Sequence, residues 1–202
     1  YDVLRGDIST LTAKYGDLGY AYANVIPRTR FRDQDKKVDL VFEFDKGEKV
    51  YFGRINVVGN SKTRDKVVRR ELKIREGELY NETRFRESNE NVKRLGFFED
   101  VAFKTSVDPA KHDIMNLDIT VKERSTGTIQ FGAGYSSSTG FTLQGSVSQS
   151  NFLGKGQDLS ASLNVSSAGS FYKLGFTEPY FQDSQWALGG EVYQSASTGR
   201  LD

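Results

Sequence analysis

The 202 residues carry 28 Lys and Arg against 27 Asp and Glu, with a single histidine and no cysteine. Near-neutral charge leaves no electrostatic footprint for nucleic acid, the lack of cysteine excludes disulfides, thiolate nucleophiles and zinc–thiolate sites, and His112 alone cannot build a multi-histidine metal centre. No apolar run approaches the roughly 18 residues of a membrane-spanning helix, so any spanning structure here must be β.

In chain order, Leu4, Ile8, Leu11 and Tyr15 recur at helical spacing, and Gly16 and Gly19 end the helix they define. Residues 20–31 and 37–44 read as strands; in the second, Val38, Leu40, Phe42 and Phe44 alternate with polar neighbours before the turn Asp45-Lys46-Gly47. A third strand over 50–58 puts Tyr51 and Phe52 on opposite faces, and Gly59-Asn60-Ser61 turns into a helix over 62–72 that buries Val67, Val68 and Leu72. Asn81 caps a further helix running to Leu95, with Phe85, Asn89, Val92 and Leu95 down one side, and Gly96 stops it. Strands over 97–107 and 114–121 flank the Asp108-Pro109 turn. Leu18-Gly19-Tyr20 matches Leu95-Gly96-Phe97 and Val38-Asp39-Leu40 matches Met115-Asn116-Leu117, both at an offset of 77 (Gly19 to Gly96, Leu40 to Leu117). Tandem copies of a small unit, the first truncated at Tyr1, account better for one shared offset than the alternative of two unrelated α+β stretches.

The composition then changes abruptly. Residues 1–126 hold 47 of the 55 charged side chains and 8 of the 20 glycines, and residues 127–202 hold the other 8 and 12. From Thr126 the hydrophobic period becomes 2: Ile129, Phe131, Ala133 and Tyr135 alternate with Thr128, Gln130, Gly132 and Gly134. The same alternation returns around 141–148, 159–166, 172–177 and 186–192, which makes five strands of about nine to eleven residues, the length that crosses a bilayer. Ser, Thr, Gln, Asn and Gly fill the polar face where a soluble sheet would carry Lys and Glu, as in the watery lumen of a transmembrane barrel. Phe152, Phe171, Tyr172, Tyr180, Phe181 and Trp186 cluster toward strand ends and suit an interfacial belt. A secreted β-sandwich would also alternate; five consecutive strands and the loss of charge favour the membrane. Single-chain outer-membrane barrels have at least about 8 strands, so the barrel is expected to continue past Asp202.

The run Val121-Lys122-Glu123-Arg124-Ser125-Thr126-Gly127, continuing into Phe131-Gly132-Ala133-Gly134-Tyr135, resembles the arm-to-barrel junction of the barrel-assembly proteins of the bacterial surface antigen superfamily. So do Asn151-Phe152-Leu153-Gly154-Lys155-Gly156 and Glu178-Pro179-Tyr180-Phe181. Upstream, Gly59-Asn60, Arg69-Arg70-Glu71-Leu72, Glu76-Gly77 and Arg94-Leu95-Gly96-Phe97-Phe98 look like the last POTRA domain of that family. The resemblance covers essentially the whole chain. It implies an α+β fold of β-α-α-β-β POTRA domains followed by the first antiparallel strands of a transmembrane β-barrel, incomplete here. The expected division is residues 1–47 for the end of a penultimate POTRA domain, 48–124 for the last one, and 125–202 for about five barrel strands. The resemblance further implies an outer-membrane protein with periplasmic POTRA domains that folds and inserts nascent outer-membrane proteins. Its partners would be those clients, periplasmic lipoprotein subunits and outer-membrane lipid, with no cofactor, metal or nucleic acid.

Insertion makes no bonds, and no nucleophile, base and orienting group assemble in the sequence, so a non-enzyme is expected. Asp33, Asp35, Asp39 and Asp45 match no calcium-loop spacing. The recognition surfaces are instead sheet edges, which can take up an incoming strand through backbone hydrogen bonds. One is the first barrel strand, Thr128, Ile129, Gln130, Phe131, Gly132, Ala133, Gly134 and Tyr135, where glycines weaken pairing and suit a lateral gate. The alternative for Gly132 and Gly134 is relief of crowding. The other edge is the POTRA strand bearing Phe97, Phe98, Val101 and Phe103. Arg69, Arg70, Glu71 and Glu76 form a charged cluster that is either a solvated helix face or a dock for a lipoprotein partner. Phe152, Tyr172, Tyr180, Phe181 and Trp186 are the membrane-interface candidates. Lys122, Glu123 and Arg124 are either a hinge or a plain polar linker. A two-partner secretion transporter, which exports one dedicated protein through a POTRA–barrel pore, is the alternative function; the repeat argues against a merely structural or adhesive β-domain.

Overall fold

Helical spacing and terminal glycines produce α1 (Asp2–Asp17), followed by the antiparallel hairpin β1 (Asn24–Arg32) and β2 (Lys37–Asp45). The computed structural model describes residues 2–32 and 36–198, so Asp33 and Asp35 of the aspartate series lie outside the described residues. β1 starts later than its alternation suggests. Successive turns, with Tyr20 N donating to Tyr15 O at 3.1 Å and Ala23 N to Tyr20 O at 3.2 Å, consume the residues around Gly19.

The second copy runs β3 (Tyr51–Val58), α2 (Asp65–Arg69), α3 (Glu82–Arg94), β4 (Phe98–Val107) and β5 (Ile114–Glu123). The offset of 77 carries the end of α1, Asp17, onto the end of α3, Arg94, and the start of β2, Lys37, onto the start of β5, Ile114. Its sheet has the order β3-β5-β4, with β3 parallel to β5. Phe52, Ile55, Leu117 and Ile119 of the sheet are buried, as are Val67 and Val68 of α2 and Val92 of α3. The Phe52, Tyr80 and Phe85 rings gather with centroids 5.3–6.3 Å apart.

One expectation for this copy needs correction. α2 is confined to Asp65–Arg69 rather than 62–72. The Lys62 and Thr63 amides are already taken by the Glu123 carboxylate. At the other end, Leu72 N closes a turn onto Arg69 O and Lys73 N donates to Ser88 Oγ at 2.8 Å. Ile74, 3% exposed, therefore fills the core while Leu72 stays half-buried. In α3, whose cap Asn81 accepts from Arg84 N at 2.8 Å, Ser88 is fully buried and Asn89 half-buried.

Strands β6 (Gly127–Ser136), β7 (Gly140–Phe152), β8 (Gln157–Ser166), β9 (Gly169–Glu178) and β10 (Leu188–Ser197) form one antiparallel sheet in the order β10-β9-β8-β7-β6. The register places Ile129, Val147, Ala161, Leu174 and Val192 side by side across all five strands, one apolar row on one face. Thr128, Ser148, Ser160, Gly175 and Glu191 form a neighbouring row on the other face, where Lys173 Nζ meets Glu191 Oε1 at 2.7 Å. This two-faced strand set is an open sheet, with β6 and β10 its outer strands among the described residues. β10 begins at Leu188, so Trp186 belongs to the preceding loop, where its carbonyl accepts from Phe181 N at 2.8 Å. The chain falls into two compact units, and residues 60–68 and 96–99 group with those from 123 onward.

Candidate functional site

β6 pairs with β7 through all ten of its residues, from Gly127 opposite Gln149 to Ser136 opposite Gly140. Its other edge has no strand beside it among the described residues. Ile129, Phe131 and Tyr135 project from its apolar face at 80–81% exposure. A Cβ added at Gly132 or Gly134 would meet no other atom of the described residues within 4 Å.

The root of β6 is held on several sides. Thr126 O accepts from Ser150 N at 3.1 Å, Thr126 Oγ1 accepts from Gln149 Nε2 at 2.6 Å, and Arg124 N donates to Phe97 O at 3.1 Å. At the end of β5, the Glu123 carboxylate accepts from Ser61 Oγ at 3.1 Å, Lys62 N at 3.0 Å and Thr63 N at 2.5 Å. Partial burial pushes this carboxyl upward, but the Thr63 and Lys62 amides and the Thr63 and Ser61 hydroxyls outweigh it and hold the group below the ordinary glutamate range. Buried Thr63 accepts from Asn151 Nδ2 at 2.8 Å, and Asn151 Oδ1 accepts from Gly156 N at 2.8 Å. Arg64 N completes the node on Gly154 O at 2.9 Å. The turn that makes this possible passes through left-handed backbone at Asn151, Leu153 and Gly154, and a Cβ on Gly154 would lie 1.9 Å from Lys62 O. Glu123 is therefore an anchoring group, neither a hinge nor a plain polar linker. Thr63 carries no local sequence signal, and Asn151 shows only as part of the Asn-Phe-Leu-Gly run.

β4, like β3, is an outer strand of the three-stranded sheet. Phe97, Phe98 and Val101 are buried, and Phe103 stacks edge-on against Phe85 at 5.5 Å, so these side chains serve packing and only backbone is offered outward. The charged cluster separates into two pairs. Arg70 and Glu71 sit 3.9 Å apart at 15% and 14% side-chain exposure, while Arg69 and Glu76 are 3.9 Å apart and half-exposed. Only Arg69 lies on α2, so the four do not share one helix face. Phe152, Tyr180, Phe181 and Trp186 gather at the end of the sheet where β7 joins β8 and β9 joins β10. Tyr172 lies within β9, opposite Leu163 and Gln194. Among the described residues, no group of three His, Asp or Glu side chains is arranged to hold a metal ion.

The POTRA family, a surface antigen variable number repeat, matches residues 1–47 and 50–124, and an Omp85 superfamily domain matches 151–201. The outer membrane protein assembly factor BamA of Nitratidesulfovibrio vulgaris is 34% identical over 194 residues, covering 96% of this chain and 24% of the relative. BamA of Neisseria meningitidis is 35% identical over 183 residues, 91% of this chain and 23% of the relative. The crystal structure of BamA from Haemophilus ducreyi lacking POTRA domains 1–3 matches with a TM-score of 0.90 at 29% identity, covering 99% of this chain and 38% of that one. CdiB from Escherichia coli, at 17% identity and a TM-score of 0.53, shares the fold alone. The chain spans about a quarter of the length of the curated relatives it matches.

Proposed function

The chain belongs to the POTRA family, with the opening strands of an Omp85-superfamily barrel behind its repeats, and from that premise we propose that the protein folds and inserts β-barrel proteins into the bacterial outer membrane. It is an outer-membrane protein whose POTRA repeats lie in the periplasm. In this reading residues 1–47 end a penultimate POTRA domain, 48–124 form the last one and 125–202 open the barrel. The observation that carries the mechanism is β6, a strand held by β7 through all ten of its residues on one edge, with the two side-chain-free positions Gly132 and Gly134 within it. A nascent client strand adds to its other edge by backbone hydrogen bonds, which are indifferent to client side chains and so serve many sequences. The β4 edge offers the same chemistry in the periplasm. Neither step makes or breaks a covalent bond, so the protein acts without catalysis.

A disulfide engineered between β6 and the last barrel strand tests the gate. Locked protein should lose client insertion and regain it on reduction; insertion at the parent rate in the locked state would remove the gate. Depletion in cells separates this function from a two-partner secretion transporter. General loss of outer-membrane barrels supports assembly, and loss of one secreted protein supports the transporter. Arg69, Arg70, Glu71 and Glu76 are the proposed dock for a periplasmic lipoprotein partner. Charge reversal at Glu76 should reduce its co-purification, and undiminished recovery would dismiss that role.

A further inference from the structure

β3 pairs with β5 on one side only, so its other edge should present open backbone groups to any extended chain. That edge is instead occupied. Along its first half the segment 77–80 runs beside it: Phe52 N donates to Glu78 O at 2.9 Å, Gly77 N to Phe52 O at 2.7 Å, and Tyr80 N to Val50 O at 2.8 Å. The register then shifts between Phe52 and Ile55, and side chains take over. Ile55 N donates to Glu76 Oε1 at 2.8 Å, and Ile55 O accepts from Arg69 Nη2 at 2.7 Å.

A residue in a neighbouring strand offers one carbonyl acceptor and one N–H donor. The carboxylate of Glu76 and the guanidinium of Arg69, 3.9 Å apart, offer the same two functions to the same residue. Both bonds involve a charged partner, which makes them stronger than the neutral pair they imitate. We propose that Arg69 and Glu76 act as a stand-in strand residue that closes the outer edge of β3, so that a client strand is directed to β4. The directing role rests on the reading that POTRA edges take up client strands; the closing role does not. It also explains why these two residues differ from Arg70 and Glu71, which pair with each other at 14–15% exposure.

Glu76→Gln keeps an oxygen acceptor and removes the charge that partner docking needs, whereas Glu76→Ala removes both. Hydrogen–deuterium exchange is read at the Ile55 amide in the full-length protein in lipid nanodiscs. Glu76→Gln should exchange more slowly than Glu76→Ala, and Glu76→Ala at least about fivefold faster than the parent, the factor expected for one typical net hydrogen bond. Parent-like exchange in Glu76→Ala, or equally fast exchange in both variants, overturns the closing role. Photoreactive residues at Val58 on β3 and Thr105 on β4, both exposed, then read client contact. The parent should cross-link clients at Thr105 and not at Val58, and Arg69→Ala/Glu76→Ala at both. No cross-link at Val58 once the edge is open overturns the directing role. Absence of cross-links at Thr105 in the parent contradicts client capture by β4, and the exchange result still decides the closing role by itself.

Discussion

Replacing Glu123 with alanine removes the acceptor for the amides of Lys62 and Thr63 and the hydroxyls of Ser61 and Thr63 at the root of β6. The Ser61 hydroxyl and Lys62 amide are on exposed residues and can turn to water. Thr63 is 2% exposed, so its amide is left buried and unsatisfied, which costs about 1–3 kcal/mol. Taking about 2 kcal/mol, opening of the 61–64 segment should become roughly thirtyfold more frequent. Exchange at the Thr63 amide in the full-length protein reads this directly, and a parent-like rate in Glu123→Ala would refute the anchoring role. The acid dependence has a defined sign. A carboxyl held below its ordinary value of 4.5 contributes fully above that value, and the contribution disappears as pH falls through the depressed folded-state value. Protection of Thr63 in the parent should therefore fall away below pH 4.5. Glu123→Gln, which keeps an acceptor and cannot titrate, should show no such transition.

Leu174→Arg puts a charge in the apolar row between Ala161 and Val192, at a cost of about 2–4 kcal/mol near the bilayer midplane. Assembled protein in the outer-membrane fraction should drop, while Ser162→Arg on the polar face should assemble near the parent level; equal losses would contradict the assignment of faces. Gly132→Val with Gly134→Val raises strand propensity on β6 by up to about 1 kcal/mol at each position. Client insertion into proteoliposomes should slow, and an unchanged rate would leave the glycines no part in gating. Gly154→Ala forces a Cβ against Lys62 O in left-handed backbone, a strain on the order of 1–3 kcal/mol. Faster exchange at the Arg64 amide, which donates to Gly154 O, is the expected result, and parent-like exchange would contradict the close approach.

Period-2 alternation of Ile129–Tyr135 and its four successors made the barrel strands legible, because a half-buried strand writes its two faces directly into sequence. The offset of 77 was equally readable, since a repeat needs only local comparison. What stayed hidden lies in contacts between distant positions. Glu123 reaches Thr63 across 60 residues and Asn151 reaches Thr63 across 88, and no local pattern links them. Early loss of the Lys62 and Thr63 amides to Glu123 also explains why α2 is shorter than its hydrophobic spacing suggests. Arg69 and Glu76 read as surface charges because their targets, the backbone groups of Ile55, lie 14 and 21 residues away. Trp186 continued the alternation of its strand, yet the Phe181–Trp186 hydrogen bond draws it into a loop.

The central claim is that a client strand pairs with the outer edge of β6. This chain contains no cysteine, so single cysteines at each position from Thr128 to Tyr135 can be scanned against single cysteines along the last strand of a stalled client. Strand pairing requires disulfides to form at one fixed register, with side chains facing the same way at alternate positions. A ladder of cross-links following that two-residue period is the predicted result. Cross-links of equal yield at every position, or none on β6 while the client still inserts, would contradict it.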